Sequence, residues 1–186
     1  MKQGYTMTIA GLERTLTLYP VSDTVSIAAF IMFGDVEITK KCAEELLKRA
    51  PEHDILITAE SKGIPLLYEM ARQENAENYI VARKAPKVYM EDIITTAVDS
   101  ITTAGSQTLC IGKTEIDAIK GKRVLIVDDV ISTGESLIAV EKLVNQAGGT
   151  IVGRMAVLAE GDAANREDLI FLEPLPLFHS DGTPMK

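Results

Sequence analysis

The stretch Val124-Leu-Ile-Val-Asp-Asp-Val-Ile-Ser-Thr-Gly-Glu-Ser136 decides the fold of this chain. Its first four residues are all branched and apolar, which favours a strand whose two faces are both covered, as in a parallel sheet flanked by helices. Asp128 and Asp129, the acid pair, follow at the expected carboxyl end of this strand, where open α/β sheets bind their ligands. The stretch therefore predicts an α/β protein with a ligand site at this edge of its sheet.

A phosphate cradle is predicted directly after the acid pair. Ser132, Thr133 and Gly134 offer hydroxyl groups and close backbone approach, and residues 135–147 have helical spacing that ends at two glycines. Backbone N–H groups at a helix N-terminus favour an anion. Two acids would repel a bare phosphate, so we expect them to face sugar hydroxyls or a divalent cation instead. A capped strand followed by an ordinary helix start is the plainer alternative.

Residues 124–136 resemble, residue for residue, the signature with which type I phosphoribosyltransferases bind phosphoribosyl pyrophosphate (PRPP). The resemblance implies that Asp128 and Asp129 hold the ribose hydroxyls, directly or through the water shell of Mg²⁺. Mg²⁺ is therefore the expected cofactor, and the acid pair its expected ligand set. The resemblance also implies a phosphate loop that wraps the 5-phosphate, formed by Ile131, Ser132, Thr133, Gly134, Glu135 and Ser136.

A second anion site is predicted at the pyrophosphate turn, Glu60-Ser61-Lys62-Gly63, which lies between a buried strand and a helix. This turn repeats the geometry of the first site on a neighbouring strand and offers N–H groups, a hydroxyl and a lysine to an anion. A solvated loop with an incidental lysine is the alternative. The family resemblance implies a pyrophosphate loop here, often held by a non-proline cis peptide, and the bond between Glu60 and Ser61 is the matching one.

Three cations form a cluster in this otherwise acidic chain: Arg83, Lys84 and Lys87. Point charges at this spacing can neutralise a departing pyrophosphate. A solvated run of surface charge is the alternative. Adenine and xanthine phosphoribosyltransferases carry a similar cluster just before a flexible catalytic loop, so the resemblance favours pyrophosphate binding. By the same resemblance, Lys87 joins Asp128 and Asp129 as the expected catalytic residues.

The segment 84–105 has neither strong periodicity nor a cluster of turn residues, and we expect it to close over the site as an unstructured lid. Adenine enzymes tend to place a glutamate late in this loop, but the corresponding position here is near Thr103. Xanthine enzymes have a similar Thr- and Ser-rich texture. Glu91, Asp92 and Asp99 are candidates for acid–base chemistry, with ordinary solvated carboxylates as the alternative for each. The general acid or base therefore stays unassigned.

The base is expected under the apolar stretch Phe30-Ile31-Met32-Phe33, although core packing explains these residues equally well. Some 6-oxopurine enzymes carry a lysine where this chain has Glu160, and its absence favours adenine narrowly. The predicted reaction converts a purine base and PRPP to a nucleoside 5-monophosphate and pyrophosphate. Xanthine, hypoxanthine, guanine and orotate stay open as bases, and a non-catalytic PRPP sensor is the alternative from another class.

A single domain is expected, because no linker or repeat divides the chain. Its predicted parts are an N-terminal hood at 1–36, a core at 37–160 and a C-terminal tail at 161–186. Residues 19–34 of the hood are expected to be irregular. The other predicted elements are a hairpin turned near Gly11, helices at 37–50, 64–73 and 135–147, and strands at 55–59, 79–82, 124–127 and 151–159.

Composition bounds the partners of the chain. The 186 residues carry a net charge of −8, and 46% are hydrophobic, enough for the core of one domain. An acidic chain lacks the clustered lysines and arginines of a nucleic-acid surface. No long apolar segment opens the sequence, so we expect no membrane contact and a cytoplasmic location. The expected partners are PRPP, a purine base and a second copy of the chain in a homodimer.

Overall fold

The computed structural model describes residues 4–98 and 107–185, and within them the chain alternates between strands and helices. None of these helices is long and apolar enough to cross a membrane. In chain order the elements are β1 (Gly4–Ile9), β2 (Leu12–Pro20), β3 (Val25–Ala29), α1 (Val36–Leu47), β4 (Ile55–Ala59), α2 (Ile64–Gln73), β5 (Ile80–Ala82), β6 (Ile94–Val98), β7 (Gln107–Ile111), α3 (Lys113–Ile119), β8 (Arg123–Ile131), α4 (Glu135–Gln146), β9 (Thr150–Glu160), a 3-10 helix (Gly161–Asn165), β10 (Ile170–Leu175) and β11 (Phe178–His179).

The central sheet consists of parallel strands in the order β10-β9-β8-β4-β5. Successive side chains of β8 enter two different cores, because strand residues point alternately to opposite faces. Leu125 and Val127 pack with α1 and α2, whereas Val124 and Ile126 pack with α3 and α4. Both faces of β8 are therefore covered, which explains its uniform apolar run. The predicted α/β fold, with a parallel-type sheet flanked by helices, is confirmed.

The predicted core elements lie close to the observed ones, with one consequential exception. β4 and α2 have the predicted bounds, and α1 ends three residues before the predicted end at 50. β8 runs on to Ile131, beyond the predicted end at 127, because its pairing with β9 continues as far as Ala159. The acid pair consequently lies within a paired strand rather than in the loop after it.

The hood is an antiparallel sheet in the order β1-β2-β3-β11. The predicted hairpin is confirmed: Ala10 and Gly11 join β1 to β2 with φ angles of 50° and 80°, as a tight twisted hairpin requires. The prediction of an irregular stretch at 19–34 is wrong for residues 19–20, which end β2, and for residues 25–29, which form β3. The apolar residues that follow this short strand masked its alternating pattern of buried and half-buried side chains.

The segment after residue 160, predicted as a tail, contributes to both sheets. β10 extends the central sheet beside β9, and β11 completes the hood beside β3. Phe178 is fully buried and meets the ring of Tyr5 edge-on, with ring centroids 5.0 Å apart. The sequence signal for β10 is weak because Pro174 interrupts its apolar run, and a strand proline is tolerated at the edge of a sheet.

The segment 84–105 is not without structure, as the sequence had suggested. Residues 94–98 form β6, which pairs antiparallel with β7, and Arg83 is bridged to Cys110 at the end of β5. Threonine and alanine dominate β6, and such residues give a weak hydrophobic period. Residues 99–105 of the predicted lid, including Asp99 and Thr103, lie outside the described residues.

Candidate active site

The acid pair and the pyrophosphate turn meet at one edge of the central sheet. Asp129 is buried, with 3% of its surface exposed, and Asp128 is half-buried. Asp128 Oδ1 accepts hydrogen bonds from Ser61 Oγ at 3.2 Å and from the Asp129 N–H at 2.9 Å. Because β4 and β8 are neighbours in the sheet, this contact from Ser61 joins two predicted sites that are 67 positions apart in sequence.

The acid pair has the electrostatic character of a cation site. Burial raises the pKa of Asp128, and the charge of the adjacent Asp129 raises it further. Asp129 Oδ2 is buried and has no hydrogen bond among the described residues, and it lies 3.0 Å from the Lys62 ammonium. Carboxylate oxygens of this kind fit Mg²⁺. No third acid, histidine or cysteine joins them in the described part of the chain, so substrate and water would complete the coordination.

Lys62 links the acid pair to the hood. Its ammonium donates to the carbonyl oxygen of Phe30 at 2.9 Å and lies 3.0 Å from Asp129 Oδ2. The first contact reaches across 32 positions from the turn after β4 to the end of β3. In this structure the Lys62 charge therefore balances a buried carboxylate, and its predicted contact with pyrophosphate stays a prediction.

The pyrophosphate turn is packed tightly against the acid pair. A side chain at Gly63 would place its Cβ 2.9 Å from Asp128 Oδ1, 3.0 Å from Thr58 Oγ1 and 3.3 Å from the Asp129 nitrogen. Only glycine fits this contact without displacement. The prediction of a cis peptide between Glu60 and Ser61 is wrong, since no cis peptide bond occurs among the described residues. Ser61 instead reaches Asp128 through a trans backbone and also accepts from the Gly63 N–H.

Thr58 is a site residue that the sequence analysis missed. It is fully buried in β4, and its hydroxyl has no hydrogen-bond partner among the described residues. Its Oγ1 lies at the space beside Gly63 that the acid pair also borders. The signal was available in the sequence, because a threonine within the otherwise apolar run at 55–59 leaves a polar group to be satisfied.

The cation cluster is organised by Glu60. Glu60 Oε2 accepts from the Lys84 backbone N–H at 2.8 Å, and Oε1 lies 3.3 Å from Arg83 Nη2. The Lys84 N–H, and less strongly Arg83, lower the pKa of Glu60. Arg83 also donates to the Tyr89 hydroxyl at 2.9 Å. The ammonium groups of Lys84 and Lys87 have no ion-pair partner in residues 4–98 and 107–185, so these two charges stay available to an anion.

The phosphate loop presents an open helix N-terminus. Gly134 caps α4 in the left-handed region, at φ 81°, and no side chain caps the first N–H groups of the helix. Ile131 is buried, whereas Ser132, Thr133 and Ser136 are exposed and Glu135 is half-buried. The loop therefore combines a buried anchor with exposed hydroxyls and unused N–H donors, which is an anion-binding arrangement.

Two charged residues beside the phosphate loop come from the last position of β9 and from the segment after it. The carboxylate of Glu160 is buried, which raises its pKa, and the nearby Ser132 hydroxyl opposes this shift. Arg166 Nη1 lies 2.9 Å from the position that a Cβ at Gly134 would occupy. In the sequence Glu160 stands out only as the absence of a lysine, and Arg166 does not stand out, because nothing in its local sequence places it beside a loop 32 positions earlier.

The apolar stretch at 30–33 divides into two pairs. Phe30 and Met32 are buried in the core and are not free to stack on a ligand, which corrects the expectation for these two. Ile31 and Phe33 are 55% and 58% exposed. Phe33 is exposed in a turn with Gly34, which has a φ of 83°, and the Asp35 N–H closes this turn by donating to the Met32 carbonyl. A cavity of about 250 Å³ beside this stretch is bordered by β2 and by Asp35.

The family model and several relatives of this chain point to the same family. Residues 36–173 match the family model described as phosphoribosyl transferase domain. Hypoxanthine/guanine phosphoribosyltransferase of Methanococcus voltae is 31% identical over 155 residues, which are 83% of this chain and 75% of that protein. Adenine phosphoribosyltransferase of Acetivibrio thermocellus is 35% identical over 127 residues, 64% of this chain and 68% of that protein. Xanthine phosphoribosyltransferase of Bacillus cereus is 30% identical over 161 residues, 82% of this chain and 80% of that protein.

A solved structure supports the same fold. Adenine phosphoribosyltransferase from Saccharomyces cerevisiae, in complex with an imino-altritol bisphosphate and adenine, superposes with a TM-score of 0.66. The superposition covers 85% of this chain and 92% of that chain at 23% sequence identity. At this identity the likeness concerns the arrangement of strands and helices.

Proposed function

This chain belongs to the phosphoribosyltransferase family of enzymes, and we propose that it joins a purine base to PRPP to give a nucleoside 5-monophosphate and pyrophosphate. One observation carries the proposal: the acid pair lies between the phosphate loop and the pyrophosphate turn at one sheet edge. A sugar held by Asp128 and Asp129 has room for an anion on either side. Relatives named for three kinds of purine support a purine as the base.

The proposed chemistry is displacement of pyrophosphate from C1 of the ribose. The bond from C1 to the pyrophosphate oxygen loosens first, so positive charge develops on the sugar and negative charge on the leaving group. Asp128 and Asp129 orient the ribose through its hydroxyls and stabilise positive charge beside it. Mg²⁺, when bound, supplies further neutralisation of the pyrophosphate charge. The chain contributes position and electrostatics and forms no covalent intermediate in this scheme.

The leaving pyrophosphate is proposed to meet Lys84 and Lys87. Arg83 is already paired with Glu60, whereas the two lysine ammonium groups have no ion-pair partner in the described part of the chain. An unpaired ammonium gives up less on binding an anion than a paired guanidinium does, since no existing ion pair has to break. Lys84 and Lys87 are therefore the proposed cations for the departing charge, and Glu60 positions the cluster.

Adenine is the proposed base. The exposed Phe33 and Ile31 offer apolar surface for a purine ring, and the Phe30 carbonyl that Lys62 contacts lies in the same stretch. An oxygen at purine C6 needs a donor, and leaving it unpaired on burial costs about 1–3 kcal/mol. The acid at position 160 offers no lysine ammonium for that purpose. Backbone carbonyls can instead accept from the amino group of adenine.

The test is a screen of adenine, hypoxanthine, guanine, xanthine and orotate, each with PRPP and Mg²⁺. We expect adenine to have the highest kcat/KM. Faster turnover of an oxopurine would overturn the choice of adenine but leave the PRPP site intact. Failure to turn over any base would favour a PRPP-binding sensor. Calorimetry with PRPP and Mg²⁺ is the matched measurement, since it reports the sugar-phosphate site without a base. Homodimer formation stays a prediction, which sedimentation would check.

A further inference from the structure

The phosphate loop has a problem of charge. The ionisable groups at the carboxyl ends of β8 and β9 and at the start of α4 are acids: Asp128, Asp129, the buried Glu160 and Glu135. Lys62, from the turn after β4, is already paired with Asp129. A sugar 5-phosphate carries up to two negative charges, and the loop itself offers only N–H and O–H donors. A cation beside the loop would offset this repulsion, and none occurs within residues 131–136.

Arg166 supplies a cation at this place. It follows the 3-10 helix, and its Nη1 lies 2.9 Å from where a Cβ at Gly134 would be. Gly134 is the residue at which the phosphate loop becomes α4, so the guanidinium borders the N-terminus of that helix. Glycine at 134 thus serves two purposes: it adopts φ 81° and it leaves space for the arginine.

The guanidinium is held in one orientation. Arg166 Nε and Nη2 donate to the two oxygens of Asp168, each at 2.9 Å, which is a bidentate pair. Asp168 also lies 3.6 Å from Arg154, which in turn is hydrogen-bonded to Glu141 on α4. The pair is thereby fastened to both β9 and α4. Nη1 is the one nitrogen that Asp168 leaves unused, and it is directed at the loop.

If Arg166 only held the fold together, its Nη1 would be expected to donate a hydrogen bond within the protein. In that case the nitrogen would donate to a loop carbonyl or hydroxyl, because a donor near backbone oxygens normally finds one. Among the described residues Nη1 has no hydrogen-bond partner, although it lies against Gly134. A rigid guanidinium with a free N–H edge beside an open helix N-terminus is suited to an oxyanion.

We propose that Arg166 is the cation of the 5-phosphate site and that Asp168 is the residue that positions it. Nη1 donates to a phosphate oxygen held by the N–H groups of the phosphate loop, and no bond is made or broken. The inference rests on the proposed function, since it takes a sugar 5-phosphate as the ligand. It adds a residue outside the loop signature, from the segment predicted as a tail.

Calorimetry with ribose 5-phosphate and, separately, with pyrophosphate and Mg²⁺ tests the proposal. In Arg166→Gln we expect the Kd for ribose 5-phosphate to rise about tenfold to a hundredfold, as for loss of a charge-assisted contact. The Kd for pyrophosphate should stay within about threefold of wild type, because that anion binds at the other turn. Lys142→Gln is the matched control: it removes one positive charge from an exposed position on α4 and should change neither value.

Two further variants keep the test decisive if Arg166→Gln folds poorly. Arg166→Lys retains the positive charge but loses the planar guanidinium, so its Kd for ribose 5-phosphate should lie between those of wild type and Arg166→Gln. Asp168→Asn should raise that Kd and the KM for PRPP with little change in kcat, because phosphate anchoring is remote from C1. A uniform loss of binding to both probes would show that Arg166 is only structural and would overturn the proposal.

The outcome separates this proposal from the proposed function. Wild-type turnover with PRPP, together with an unchanged Kd for ribose 5-phosphate in a folded Arg166→Gln, would overturn the role of Arg166 alone. Absence of turnover with every base, together with an Arg166-dependent Kd for ribose 5-phosphate, would overturn the enzyme assignment and support the phosphate contact.

Discussion

The phosphate loop and the pyrophosphate turn make the same kind of connection between a strand and a helix, but their side chains are used differently. Each connects a buried strand of the central sheet to the N-terminus of a helix and contains a glycine. The phosphate loop leaves its hydroxyls exposed and its helix N-terminus uncapped. The pyrophosphate turn has its side chains engaged, with Ser61 on Asp128, Lys62 on Asp129 and the hood, and Glu60 on the cation cluster.

The two glycines show the difference most directly. Gly134 is needed for its conformation, since φ 81° lies in the left-handed region. Gly63 has an ordinary φ of −71° and is needed for space, since a Cβ there would meet Asp128 and Thr58. One turn is thus ready to bind an anion through its backbone. The other is a hub whose side chains hold the acid pair, the hood and the cations together.

The largest expected effect comes from the acid pair that lies between the two turns. Asp128→Asn with Asp129→Asn should lower kcat/KM by at least about a hundredfold, because the sugar and its cation lose their charged ligands. Far-UV spectra and thermal unfolding should show an intact fold, since the charge of Asp128 is already penalised by burial. Initial rates with PRPP measure the effect. An unchanged kcat/KM in a folded double variant would show that the active site does not lie at the sheet edge of Asp128 and Asp129.

Removal of one cation should affect one turn and not the other. Lys87→Ala should weaken pyrophosphate and PRPP by about tenfold to a hundredfold, as expected for a charge-assisted contact of about 1.5–3 kcal/mol. The KM of the base should change little. Initial-rate kinetics with each substrate varied in turn make the test, with Lys142→Ala as the control for a lost charge. An effect confined to the base would place Lys87 near the hood.

The two glycines should respond unequally to alanine. Gly63→Ala is expected to cost about 1–3 kcal/mol in the free energy of unfolding, because the new methyl group overpacks a rigid contact that includes backbone. Gly134→Ala should cost about 1 kcal/mol for its positive φ, and the new methyl group should displace the guanidinium that Asp168 orients, which is a partly exposed side chain and not backbone. Urea unfolding of both variants measures this. A larger loss at Gly134 would reverse the proposed division between space and conformation.

The smallest expected effect is a dependence on pH. A carboxyl whose folded-state pKa is raised binds more protons when folded, so its contribution to stability is lost as pH rises from the unfolded value towards the folded one. Relative to Asp128→Asn, wild type should therefore lose Tm as the pH rises from about 4 to about 8, by about 2–4 °C for each kcal/mol of unfolding free energy lost. If the Tm of wild type and the Tm of Asp128→Asn changed with pH in parallel, the pKa of Asp128 would not be raised in the folded protein.

The conformation of the phosphate loop could be predicted from sequence because it depends on contiguous backbone. A buried strand, a left-handed glycine and a helix start are all local properties, and residues 124–136 carry every one of them. The same holds for β4 and α2, whose predicted bounds agree with the structure. Where a prediction failed, as at β3 and β10, the element was short or interrupted by proline and depended on a distant strand for its pairing.

The sequence by itself determined the fold class and the position of the acid pair and of the two strand-to-helix turns, because these depend on hydrophobic period and local turn chemistry. Only the tertiary structure decided what the side chains do. It turned Lys62 towards Asp129 and Phe30, divided the stretch 30–33 into buried and exposed pairs, and brought Arg166 to Gly134. These contacts join residues tens of positions apart, and their energies depend on distance and burial, which a linear pattern does not contain.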